Sequence, residues 1–64
     1  MCEANVYIKD KESDEYELFL EAVDKVVPEA DYILVESIFG ERKQVKAVIK
    51  EMALLDHEIR LERI

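Results

Sequence analysis

The chain has 64 residues, half of them hydrophobic and 39% charged, a balance that belongs to one folded domain rather than a disordered segment. Its 16 acidic and 9 basic residues give a net charge of −7, which argues against a partner held through nucleic-acid phosphates. No apolar run approaches the roughly 18 residues of a membrane span, and no basic-then-apolar leader precedes the lone cysteine, so a cytoplasmic protein is expected.

The first element is read from "CEANVYIK". Cys2, Ala4, Val6 and Ile8 alternate with Glu3, Asn5, Tyr7 and Lys9, the period-two pattern of a half-buried strand. "DKESDE" follows at residues 10–15 and reads as a polar loop or hairpin tip. "YELFL" sets Tyr16, Leu18 and Leu20 on one side and Phe19 on the other, and "AVDKVVP" reads as a short strand that Pro28 ends. "YILVESIF" carries Ile33, Val35 and Phe39 on one face and Tyr32, Leu34 and Ile38 on the opposite one, as expected of a central strand or one facing both a core and a subunit interface. Gly40, the single glycine, marks a turn that needs positive φ.

"VKAVIKEMALL" supports two readings. Val45, Val48, Ile49, Met52 and Leu55 recur at helical spacing among good helix formers, whereas a strand would place Val48, Met52 and Leu54 on one face in a weaker pattern. "LDHE" then reads as a turn and "IRLERI" as a closing strand with Ile59 and Leu61 inward.

Chemistry concentrates at the amino terminus. A thiolate is a soft ligand, and with amine and amide nitrogens it makes a tetragonal N,S donor set suited to Ni(II) or Cu(II). The α-amine of Met1, the amide nitrogen of Cys2 and its sulfur can close two five-membered chelate rings, and two subunits meeting there would complete the set. His57, the only histidine, reads as a solvated turn residue beside Asp56, and the serines Ser13 and Ser37 stand in no nucleophile-elbow context. With no glycine-rich phosphate loop and little room for a desolvated cleft, the chain is not expected to be an enzyme. Tyr7, Tyr16 and Tyr32 are expected at the margin of a core or interface rather than on bases, and Arg42, Lys43 and Lys46 form one modest basic cluster.

The opening "MCEANVYI", the central "SIFGERKQV" and the closing "ALLDHEIRLE" resemble the CooT family, small nickel-binding accessory proteins of carbon-monoxide dehydrogenase maturation. The resemblance spans residues 1–64 as a single CooT-like domain. It implies an all-β fold, a small antiparallel SH3-like β-barrel, assembled as a homodimer. It also implies one Ni(II) per dimer held through Cys2, with Met1 contributing nitrogen, and a client nickel enzyme such as carbon-monoxide dehydrogenase. Residues 45–62 would then form a hairpin turning at Asp56-His57 instead of a helix. The competing reading is an SH3-like RNA-binding or protein-interaction module in which Cys2 is only a core residue.

Overall fold

The computed structural model describes residues 3–64, which form six strands and one short 3-10 turn. β1 (Ala4–Lys9) is the alternating segment, with Val6 and Ile8 buried and Asn5, Tyr7 and Lys9 half-buried. β2 (Glu17–Pro28) is one long strand. β3 (Ile33–Ser37) and β4 (Arg42–Val45) flank the turn that contains Gly40, whose φ of 87° is the positive value anticipated. β5 (Ala47–Ala53) and β6 (Glu58–Arg63) form a hairpin through a 3-10 turn at Leu54–Asp56, closed by His57 at φ 55°.

Residues 47–53 are therefore a strand, as the family resemblance implies and against their helical spacing. Register explains the outcome. Ile49 faces Leu61 and Met52 faces Ile59, so a strand that already carries the core supplies a ladder for this segment to pair with. Pairing of this kind outweighs intrinsic propensities worth a few tenths of a kcal/mol per residue.

The strand order is β4-β3-β2-β1-β6-β5. All neighbours are antiparallel except β1 and β6, which run parallel with Val6 opposite Ile59 and Ile8 opposite Leu61. The expected purely antiparallel barrel is thus corrected to an open, mixed sheet. β4 and β5 stand at its two edges with no ladder joining them among the described residues, yet only Lys46 separates them in the chain. They act as one bent run in a single direction. The meander then changes direction as if it had five strands, an odd number, so its last strand returns beside β1 pointing the same way.

β2 serves both halves of the sheet. Its first half pairs with β1 and its second with β3, and the change of partner falls where the register shifts around Val23. Ala22 sits there at φ 54°, a left-handed conformation that costs an alanine about 1–2 kcal/mol. Local hydrogen bonds hold it: the Ala22 N–H donates to Asn5 Oδ1 at 3.3 Å, and the Ile38 N–H donates to the Ala22 carbonyl at 2.8 Å. The bulge bends β2 so that Ile33 and Val35 pack on the same core as Val6, Ile8 and Leu61.

Two inward assignments are corrected. Leu18, expected in the core, is 50% exposed, and Phe39, expected beside Ile33 and Val35, is 82% exposed. Phe39 follows the end of β3 and belongs to the turn, where strand alternation no longer applies. Leu20 pairs with buried Val6 but Leu18 pairs with Tyr7, because the β1–β2 register shifts between them, so the core position of this segment falls on Leu20. Ser37 takes the last buried place of β3, its hydroxyl accepting N–H bonds from Phe39 and Glu41.

Candidate metal centre

Met1 and Cys2, the residues expected to bind metal, lie outside the described residues. The chain is held fast just beyond them. Ala4 pairs with Val23 of β2, Asn5 pairs with Glu58 of β6, and the Asn5 N–H donates to the His57 carbonyl at 2.9 Å. Ladders on both sides thus grip the backbone from its fourth residue onward.

Glu3 borders two depressions. One, about 360 Å³, is mainly apolar, lined by Ala4, Val23, Val26, Leu54 and Ile59 with Asp24 and His57 at its margin. The other, about 650 Å³, runs past Leu18, Phe19 and Phe39, with Glu21, Glu41 and Lys43 around it. His57 is exposed, as expected of a turn histidine, yet it shares the first depression with Glu3, a proximity that the parallel β1–β6 pairing creates and linear spacing conceals. Among the described residues, no three His, Cys, Asp or Glu side chains come close enough together to hold a metal ion.

Most cations are engaged within the fold. Lys9 Nζ lies 2.9 Å from Glu62, opposite it in the parallel register, and donates to the Ser13 carbonyl of the following loop at 3.0 Å. The hydrogen bond from Lys9 holds the Glu62 carboxyl below its ordinary value, and the same bond raises the Lys9 ammonium above its own. Arg42 hydrogen-bonds Glu36 at 2.9 Å and lowers that carboxyl likewise. Arg63 reaches Asp10, and Arg60 bridges Glu51 and Glu58. Lys43 donates to the Phe19 carbonyl at 2.9 Å with its ammonium 5.0 Å from the Phe19 ring centroid. Arg42 and Lys43 are thus committed within the fold, and the basic cluster read from the sequence is not a free patch. Asn5, Phe39 and Lys43 come together here only through the fold, and an asparagine inside a strand, where it is disfavoured, is the one local signal of it.

The described residues form a small, curled, all-β domain whose first strand is paired on both sides from Ala4 and Asn5 onward. The pattern of the family described as CO dehydrogenase accessory protein CooT matches residues 1–62, so the chain belongs to the CooT family. It is also similar, at 51% identity over 98% of both chains and with a TM-score of 0.88, to a crystal structure given the name CooT, from Carboxydothermus hydrogenoformans. No curated protein matches the chain. The family description is that of an accessory to CO dehydrogenase, not of the enzyme, and no helix here is long and apolar enough to cross a membrane.

Proposed function

We propose that this protein is a metallochaperone that carries Ni(II) to a maturing nickel enzyme of the CO dehydrogenase kind, as a homodimer binding one ion between two amino termini. Cys2 supplies the thiolate and Met1 the amine nitrogen. The observation that carries the reading is the grip on Ala4 and Asn5 from both β2 and β6, which limits the reach of a terminus bearing a soft chelating donor set. Membership of an accessory family of CO dehydrogenase supplies the class of client. Two-fold symmetry supports the stoichiometry, because one subunit offers two or three donors and a tetragonal site takes four.

Nickel here is cargo. The chain's own part is to keep the thiolate and amine near each other, to release their protons when the ion arrives, and to take protons back when it leaves. Exposed Met52, Leu54 and Leu55 on the β5–β6 hairpin offer apolar surface that a second subunit can cover. An absorption titration with Ni(II) tests the proposal. Thiolate charge-transfer bands should saturate at one ion per two chains, vanish in Cys2→Ser with the fold intact, and weaken as pH falls. Saturation at one ion per chain, or unchanged binding by the serine variant, would reject it.

A further inference from the structure

We propose that the groove bounded by Leu18, Phe39 and Glu41 docks a cationic segment of the metal-receiving protein, one anchored by an apolar side chain. This rests on the reading of Cys2 as nickel ligand, since Glu3 both lines the groove and follows Cys2 in the chain.

The floor of the groove is apolar. Leu18 and Phe19 line it, and Phe39 stands exposed at its edge on the turn after β3. Phe19 is firmly placed, packed against the core and held from above by the Lys43 ammonium. An exposed aromatic beside a shaped apolar floor is the kind of anchor that dominates the energy of protein interfaces.

Charge identifies the occupant. Glu3, Glu21 and Glu41 line the groove and, like most carboxylates elsewhere on the surface, have no ion-pair partner among the described residues; here they stand around apolar side chains. The one cation in the groove, Lys43, is spent on the Phe19 carbonyl and ring. A second copy docking across the far part of the groove through a two-fold axis would set Glu21 and Glu41 against their own images, which costs free energy. A lysine- or arginine-bearing segment meets them with opposite charge and is steered toward them.

The probe is a fluorescein-labelled ten-residue peptide of alternating lysine and leucine, followed by fluorescence anisotropy at two salt concentrations. Phe39→Ser and the double variant Glu21→Lys/Glu41→Lys should each weaken binding about tenfold or more, the loss expected when an anchor or its charge partner is removed. Glu29→Lys/Asp31→Lys, with the same change in net charge but at the far β2–β3 turn, should change it less than about threefold. Equal weakening by both double variants means diffuse charge attraction and overturns the proposal. So does sedimentation showing that Phe39→Ser splits a dimer, because the groove is then covered by a second copy. Nickel titration of the same variants separates the two readings: retained nickel with lost peptide binding locates the effect in docking. A wild-type chain that binds peptide but no nickel rejects the metal reading, and with it the assignment of the partner as a metal acceptor.

Discussion

The middle of the sheet and the end that carries Glu3 obey different rules. In the middle, Val6, Val35 and Leu61 are wholly shielded, and no buried side-chain polar atom among the described residues lacks a hydrogen-bond partner. Around Glu3 apolar side chains stand uncovered beside carboxylates without ion pairs among the described residues, and the backbone of the nearby bulge is strained at Ala22. A 64-residue domain has only a few kcal/mol of net stability to spend, so a strained, exposed and charge-unbalanced region is a cost that calls for a role. The lesson is that the core, to which every strand but β4 contributes a buried residue, is fully shielded, whereas the region around Glu3 leaves apolar and acidic side chains uncovered.

The sharpest way to break this contrast is to truncate one side chain in each region. Leu61→Ala should cost about 3 kcal/mol, enough to unfold much of the population of so small a domain, whereas Phe39→Ser should shift the urea midpoint hardly at all. A comparable loss in both variants would mean that Phe39 is part of the core in solution.

The two positive-φ positions sharpen it further. Gly40→Ala places a Cβ at φ 87° and should destabilise by about 1 kcal/mol, even though nothing stands within 4 Å of that atom. Ala22→Gly at φ 54° should do the reverse and raise stability by a similar amount, with the Asn5 hydrogen bond retained. Thermal melts of both variants read the sign directly.

A pH series probes the side of the molecule where charge is balanced. Glu62 has a folded-state pKa below its ordinary 4.5, because Lys9 donates to it, so its stabilisation is present above that value and is lost as pH falls through the lowered one. Lys9 is raised above its ordinary 10.5, so its share is present below that value and is lost as pH rises through the raised one. Glu62→Gln should flatten the acid limb of the stability curve, and high salt should weaken the effect because both groups lie near the surface. An acid limb unchanged in the variant would show that this pair does not couple folding to pH.

A small effect is also expected at the outer pair Arg42–Glu36, where Arg42→Ala should barely move the denaturant midpoint, since the guanidinium is largely in solvent. A larger loss would mean that β4 depends on this pair to stay on the sheet.

Local chemistry alone determined much of this protein. Alternation in "CEANVYIK" and "IRLERI" identified two strands and their buried residues Val6, Ile8, Ile59 and Leu61, because a half-buried strand has to repeat every two residues. Gly40 marked its turn because few other residues tolerate positive φ there. The thiol beside a free amine marked the candidate metal end, although Met1 and Cys2 lie outside the described residues and the reading rests on their chemistry. Tertiary structure alone decided the rest. Residues 47–53 became a strand because β6 offered a ladder, β1 and β6 became parallel because Lys46 bends one run into two edges, and His57 came beside Glu3 through that parallel pairing. Leu18 and Phe39 went outward because the β1–β2 register shift between Leu18 and Leu20 and the end of β3 break the alternation that would have buried them. Each of these outcomes depends on contacts between residues far apart in the chain, which local spacing does not record.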